Sequence, residues 1–310
     1  MKVYITGGRG MVGANLVETK PKNITVLTPT HKELDLLNYD SIKDFLEKNK
    51  PDFIINCAGK VGGIQANMSD LYTFLMDNTI MGLNLIRAAK EVGIKKMINL
   101  SSSCVYPVNA PIPFKEESFL TGSLEPTNEG YALAKNSVMR ACEYLSKEHS
   151  KFQFKTIVPV NLYGRHDKFS NKRSHMIPAV IKKIAQAVEN KENIVEIWGT
   201  GKVKREFLYA GDLAEFIWHA INNFDKMPSV LNCSPGIDYT IDEFYQKIAK
   251  TLGYNGKFSH NTSKPDGIKR KLTDNSKMKK FGWEPKTSFE DGVRKAYEFF
   301  KNEYKENDKK

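Results

Sequence analysis

Apolar positions in the first half of the chain fall in short unbroken runs, each followed by a longer stretch with helical spacing. KVYIT (residues 2–6) is a β-rich run, and MVGANLVETK after it is helical. NITVLT reads as a second strand, and SIKDFLEKNK as a helix that ends before Pro51. DFIINCAG is a buried strand, and NTIMGLNLIRAAKEVG a helix with Gly93 as its stop signal. KMINLSS, YALAKNSVMRACEYLSKEH and FKTIVPVNLYG continue the alternation as strand, long helix and strand. Apolar strands without alternation are covered on both faces, so the pattern predicts an α/β fold with a doubly wound parallel sheet. After Gly164 it loosens. RHDKFSNKRSH is a polar loop, IPAVIKKIAQAVEN a helix, and VEIWGTG and DEFYQKIAKTLGY are mixed shorter pieces. This divides the chain into a dinucleotide-type domain over 1–165 and a smaller α/β substrate domain over 166–310, with some later segments returning to the first. The tail KNEYKENDKK, mixed in sign, predicts a fraying helix end.

Composition changes this picture little. The 310 residues are 40% hydrophobic and 27% charged, ordinary for a soluble globular chain. No apolar run is long enough to span a membrane, and the first residues do not read as a signal peptide, so a cytoplasmic protein is expected. A net charge of +11 invites an anionic partner. No basic stripe is interleaved with aromatics, however, so nucleic acid is excluded and most of the charge is read as a lysine-rich solvated surface. Cys57, Cys104, Cys142 and Cys233 lie far apart without metal-ligand spacing, which predicts reduced thiols and no metal.

The candidate chemistry begins at TGGRGMVG, residues 6–13, where the first strand turns into the first helix. Gly7, Gly10 and Gly13 allow a tight turn, close approach of backbone to a pyrophosphate, and close helix–strand packing. The helix N-terminus supplies free N–H groups for the anion. NAD-binding folds carry an acid at the end of strand 2 for the ribose 2′-hydroxyl. Here there is none before Glu33, while Arg9, His31 and Lys32 bring cations, so the expected cofactor is NADP(H).

YALAK places Tyr131 and Lys135 at i and i+4 on one helix face. An adjacent ammonium is expected to lower the tyrosine's pKa, so that the phenol can protonate a carbonyl oxygen as hydride reaches its carbon. Ser102, at the end of the preceding strand, can hold the same oxygen.

The ordered set TGGRGMVG, NCAG, SSSCVYP, YALAK and NLYG resembles the extended short-chain dehydrogenase/reductases over essentially the whole chain. The resemblance implies an N-terminal Rossmann domain, a C-terminal nucleotide-sugar domain, a catalytic set of Ser102, Tyr131 and Lys135, and a homodimer. AGKVGGIQANM, LEPTNEGYALAK, NLYGRHDKF, SHMIP, WGTGKVKREF and SKPDGIKRKL narrow it to the GDP-L-fucose synthase family, the GDP-4-keto-6-deoxymannose 3,5-epimerase/4-reductases. That family implies proton transfer by Cys104 and His175. A ketone at C4 acidifies the hydrogens at C3 and C5, and a thiol and an imidazole exchange protons near neutrality. It further implies cofactor contacts from Met11, Val12, Asp35, Leu36, Ala58, Pro159, Asn161, Leu162 and His175. The GDP-linked keto sugar would be gripped by Ser103, Lys183, Trp198, Arg205 and Asp266. Gly130 departs from a proline common in the family and is expected to loosen the turn before Tyr131.

Three rival functions share this fold. One is a C4-reductase without epimerisation, acting on a related GDP-4-keto-6-deoxyheptose. A UDP-sugar 4-epimerase would keep NAD tightly bound, against the end of strand 2. A catalytically idle NADP-binding protein would not need an intact Ser102/Tyr131/Lys135 set.

Overall fold

Each early apolar run becomes a strand of one parallel sheet. The computed structural model describes residues 1–170, 174–264 and 266–304. Residues 171–173 of the polar loop and the last six of the tail therefore lie outside the described residues. In chain order the first half contains β1 (Lys2–Thr6), α1 (Met11–Glu18), β2 (Thr25–Leu27), α2 (Tyr39–Asn49), β3 (Phe53–Asn56), α3 (Ile64–Ser69), α4 (Leu71–Val92), β4 (Lys96–Leu100), α5 (Glu129–Glu148) and β5 (Gln153–Pro159). The second half contains β6 (Asn161–Tyr163), α6 (Met176–Glu189), β7 (Ile194–Trp198), β8 (Lys204–Arg205), β9 (Phe207–Tyr209), α7 (Ala210–Asn222), β10 (Val230–Cys233), β11 (Tyr239–Thr240), α8 (Ile241–Leu252), β12 (Lys257–Asn261), α9 (Ser276–Lys280) and α10 (Phe289–Phe299).

The sheet order is β10-β5-β4-β3-β1-β2, every pairing parallel. The order reverses between β1 and β3, and the crevice beyond the carboxyl ends of those strands is where such sheets bind ligands. One side chain per strand knits those ends together inside the sheet. Thr6 Oγ1 donates to Asn56 Oδ1 at 2.8 Å, and Asn56 Nδ2 to Asn99 Oδ1 at 2.9 Å. Each neutral bond contributes only about 0.5–1.5 kcal/mol net, but an unpaired buried amide costs about 1–3 kcal/mol, so the ladder fixes the strand register below the crevice.

FKTIVPVNLYG, expected as one strand, is broken at Val160: β5 stays in the main sheet, while β6 pairs with β9. The pair β6–β9 leads into α7, whose Leu213, Phe216 and Ile217 pack with Val3, Ile5 and Phe53 in one core. Segments after residue 166 are thus built into the first sheet layer. A second core, with Ile177, Ile181, Phe244, Ile248 and Val293, holds α6, α8 and α10 together. Gly93 ends α4 with φ +85°, the left-handed stop expected of it. All four cysteines are free, and among the described residues no helix is long and apolar enough to cross a membrane.

Candidate active site

The glycine turn is closed by backbone contacts. A Cβ on Gly13 would lie 2.3 Å from Gly7 O and 2.6 Å from Gly8 Cα, so α1 rests directly on the turn. Gly7 has φ +64°, and a Cβ there would stand 3.1 Å from the backbone N of Ala58, at the end of β3. Ala58 N–H donates to Thr6 Oγ1 at 2.9 Å. The Gly7 and Ala58 backbones therefore meet with no side chain between them, leaving a cradle that fits a pyrophosphate at the α1 N-terminus opened by Gly10, Met11 and Val12.

Past β2, Glu33 accepts the Thr30 N–H at 2.7 Å. Those bonds to Thr30, with the Arg9 charge as a lesser cause, hold its carboxyl below the usual range. The nearest acid is thus occupied by its own turn, and exposed Arg9 stands beside it, an arrangement that fits a 2′-phosphate. Asp35 Oδ1 accepts from Leu37 N–H at 3.0 Å and lies 3.9 Å from His31. Leu36 is in the core, so its backbone is what it can offer a cofactor. Pro159 closes β5. Asn161 and Leu162 follow in β6, with Asn161 Nδ2 donating to Glu206 O at 3.2 Å.

Beyond β4 the chain forms a single 3₁₀ turn, Ser103–Val105, capped by Ser102, whose Oγ accepts from Cys104 N–H at 3.5 Å. Helix α5 lays Tyr131 and Lys135 against it. Lys135 Nζ donates to Leu100 O at 2.9 Å and sits 5.6 Å from the centre of the Tyr131 ring. The expected lowering of the Tyr131 pKa is not what this geometry gives. Burial pushes the phenol well up, and the Cys104 charge adds to the rise. Lys135 is committed to a backbone carbonyl and is itself pushed down by burial. Both shifts favour the uncharged forms of the two groups. Cys104 is 7% exposed. Burial raises its pKa, against the opposing effects of the Ser102 hydroxyl and the Lys271 and Lys135 charges. Gly130 does not loosen a turn: it lies inside α5, where a Cβ would come within 2.3 Å of Leu71 O. The glycine lets the start of α4 press on the helix carrying Tyr131.

His175 caps α6 with an extended backbone. The residue is exposed, yet desolvation by the surrounding protein, and next the Lys168 charge, hold its pKa below the ordinary value. Its neighbour Ser174 has its carbonyl 3.7 Å from the Cβ position of Gly63, in the loop beyond β3. Gly59, in the same loop, has its Cβ position 3.6 Å from Lys135 Nζ. The loop thus bridges Lys135 to the His175 segment, although no hydrogen bond among the described residues joins His175 to Cys104 or Tyr131.

The expected nucleotide-sugar residues also gather. Trp198 is 56% exposed, flanked by Lys183 at 6.0 Å and Lys264 at 5.4 Å from its ring. Lys183 Nζ donates to Glu196 O at 2.7 Å, and the Arg205 guanidinium to Ile268 O at 2.6 Å. Asp266, expected in the nucleotide-sugar grip, accepts from Thr200 at both oxygens, at 2.7 Å from N–H and 2.8 Å from Oγ1. It shapes the loop after Trp198, because its side chain fills the space of a Cβ on Gly199. The sequence reading missed Lys264, Lys271 and Glu125: they stand in irregular segments, where no periodicity points to a pocket. A separate surface cleft of about 410 Å³, lined by Glu18, Arg165, Tyr209 and Lys295, lies between α1, α7 and α10, away from this chemistry.

The profile of the NAD dependent epimerase/dehydratase family matches residues 3–234. Over 309 residues the chain is 52% identical to the GDP-L-colitose synthase of Yersinia pseudotuberculosis, covering 99% of this chain and 100% of that one. It is 40% identical to the GDP-L-fucose synthase of Azorhizobium caulinodans, covering 96% of each. Among solved structures, a GDP-mannoheptose C4 reductase from Campylobacter jejuni with NADP bound superposes with a TM-score of 0.88 at 30% identity, covering 97% of this chain and 98% of that one.

Proposed function

The chain belongs to the NAD-dependent epimerase/dehydratase family, and from that premise we propose that it reduces C4 of a GDP-4-keto-6-deoxy sugar with NADPH, after epimerisation beside the ketone. What supports this reading is a thiol, Cys104, in the turn capped by Ser102 and in the apolar cluster against which Tyr131 packs. A reductase alone needs the hydroxyls and the lysine, not the thiol.

NADPH, when bound, supplies the hydride that reaches C4. Gly7, Gly10 and Gly13 bring the backbone to its diphosphate, Arg9 meets its 2′-phosphate, and Lys135 holds its ribose. Tyr131 hands its phenolic proton to the C4 oxygen as charge develops there, and Ser102 donates a second hydrogen bond to that oxygen. Cys104 and His175 move protons at the carbons beside the ketone. Trp198 offers a stacking face to guanine, and Arg205 and Lys183 supply charge to the GDP diphosphate. Residues 1–165 with α7 and β10 form the cofactor half, and the remainder grips the nucleotide sugar.

A homodimer is part of the proposal. Tyr72, Met76 and Leu83 on α4 and Leu133 and Tyr144 on α5 are exposed apolar side chains at helical spacing, an unpartnered face beside the Tyr131 helix. Light scattering should give twice the 35.2 kDa chain mass, and Leu83→Glu with Tyr144→Glu should give the monomer. A wild-type monomer at micromolar concentration would end this part.

A second reading concerns the sugar. Identity is higher to the colitose synthase than to the fucose synthase. Colitose is the 3-deoxy counterpart of L-fucose, so with such a substrate C5 alone would invert. Incubating GDP-4-keto-6-deoxymannose and its 3-deoxy counterpart in D₂O, with and without NADPH, tests both. Deuterium at C5 without cofactor, then reduction on adding NADPH, supports the epimerase/reductase. NADPH consumption without deuterium at any carbon would reduce the function to C4 reduction, as on a heptose, and no turnover of either sugar would sink the reading.

A further inference from the structure

The 3₁₀ turn capped by Ser102 is anchored at its far end by a hydroxyl that takes no part in the chemistry above. Tyr106 closes that turn. Its ring is buried and stacks against Phe114 and Phe119, with centroids 5.1 and 4.8 Å away. The hydroxyl donates to Asn232 Oδ1 at 2.5 Å. Asn232 is fully buried in β10, the edge strand of the main sheet. The other end of its amide fixes the direction of that bond. Asn232 Nδ2 donates to Phe114 O at 3.1 Å and to Asp274 O at 3.0 Å, which uses both of its protons and leaves the oxygen for Tyr106. Burial, and next the Glu116 charge, push the Tyr106 pKa far above its ordinary range, so the phenol keeps the proton it donates. Glu116 itself accepts the Asn232 backbone N–H at 2.9 Å. Within the turn, Val105 N–H donates to Ser102 O at 3.1 Å, and Val105 O accepts from Asn136 Nδ2 on α5 at 3.4 Å. The turn is thus held on the Tyr131 helix at Val105 and on the edge strand at Tyr106. A buried amide oxygen left unpaired is costly, so the phenol has one favourable position.

We propose that Tyr106 is a positioning residue, whose bond to Asn232 sets the place of the Ser102 hydroxyl at the C4 oxygen. A ring stacked along its side and held at its tip leaves the backbone of Tyr106 little freedom, and the short turn passes that constraint to Ser102. Tyr106 touches no reacting atom and acts through the turn. This rests on the reading above in which Ser102 donates to the C4 oxygen. The effect falls on the transition state, where misplacing a group by about 1 Å costs up to about 10²-fold in rate.

The test is a double-mutant cycle of Tyr106→Phe and Ser102→Ala in the full chain, read as single-turnover NADPH oxidation with the keto sugar that the wild type reduces. Tyr106→Phe removes one oxygen and keeps the ring in its stack. Ser102→Ala should slow hydride transfer roughly 10²–10³-fold, as the loss of one donor to a developing oxyanion does. Tyr106→Phe should slow it at least about tenfold. Because Tyr106 acts through Ser102, the double variant should lie within about twofold of Ser102→Ala alone. The NADPH Kd should stay within about threefold of wild type in all three variants. A multiplicative loss in the double variant would make Tyr106 a support of the fold at large and overturn the proposal. Wild-type rates for Tyr106→Phe beside an impaired Ser102→Ala would also overturn it, with the Ser102 reading intact. An unimpaired Ser102→Ala would instead defeat that reading and the proposal with it, as would a wild type that reduces neither sugar. Should Tyr106→Phe fail to fold, Asn232→Ala, which removes the acceptor and leaves the hydroxyl, takes its place in the cycle under the same criterion.

Discussion

Gly13→Ala probes the cofactor cradle at its tightest point. The added methyl would lie 2.3 Å from Gly7 O and 2.6 Å from Gly8 Cα, and both are backbone atoms that cannot rotate away. Relief requires α1 to lift from the turn by about 1 Å, a shift of the overpacking class that costs roughly 1–3 kcal/mol. Alanine recovers up to about 1 kcal/mol over glycine in a helix, so the net loss is about 0–2 kcal/mol. Lifting α1 also moves its free N–H groups off the pyrophosphate, so this loss should surface in cofactor affinity as a rise of up to about 30-fold in the NADPH Kd. Gly10→Ala is the control. Its Cβ would meet Gly7 O at 3.3 Å, and its φ of −78° suits any residue, so its Kd should stay within about threefold of wild type. The assay is NADPH fluorescence titration, paired with thermal unfolding in the absence of cofactor. If Gly13→Ala bound NADPH as tightly as Gly10→Ala and melted at the same temperature, the close approach of α1 to the turn would not be what the cradle depends on.

Asp167 supplies a pH prediction. It is 7% exposed, one oxygen accepts the Lys168 N–H at 2.7 Å, the other has no partner among the described residues, and burial pushes its pKa from 3.8 up to about 7. A folded pKa above the unfolded one means that its contribution is complete below about pH 4 and fades as pH rises through 7, by at most roughly 4 kcal/mol. Urea unfolding of Asp167→Asn should gain on wild type between pH 5 and pH 8 by at least about 1 kcal/mol, and a pH-independent difference would refute the assignment. Tyr131→Phe removes the proton donor. Reduction should fall roughly 10²–10⁴-fold while NADPH binds unchanged; stopped-flow absorbance at 340 nm reads the first, and undiminished reduction would exclude the phenol. Trp198→Ala removes a stacking face worth about 1–3 kcal/mol per base, so calorimetry should show GDP binding about 5–150-fold weaker, and unchanged affinity would make Trp198 a bystander.

The sheet could be read in the sequence because strands buried on both faces must be apolar without a break, as FIIN and KMINL are. Tyr131 and Lys135 could be read for a similar reason: helical period alone puts i and i+4 side by side. What that period could not disclose is where the lysine points. A buried ammonium takes the nearest acceptor, here Leu100 O, 35 residues away in sequence, so the pair became a neutral phenol above an occupied cation. The same limit explains Val160. Apolar residues on both sides fit one strand, and only the later arrival of β9, some 45 residues on, draws β6 out of the main sheet. Gly130 looked like a loosened turn because its reason, the Leu71 carbonyl, belongs to a helix 59 residues earlier. Lys271, Glu125 and Lys264 carry the lesson furthest. Each stands in an irregular segment whose position comes from single backbone bonds, such as Phe114 to Leu272 across more than 150 residues. Charge at such a place has no local pattern, so its partner is set by the fold. The periodic elements thus disclose which residues share a face, while the burial that moves the pKa values of Tyr131, Lys135 and Cys104 comes from the whole fold around them.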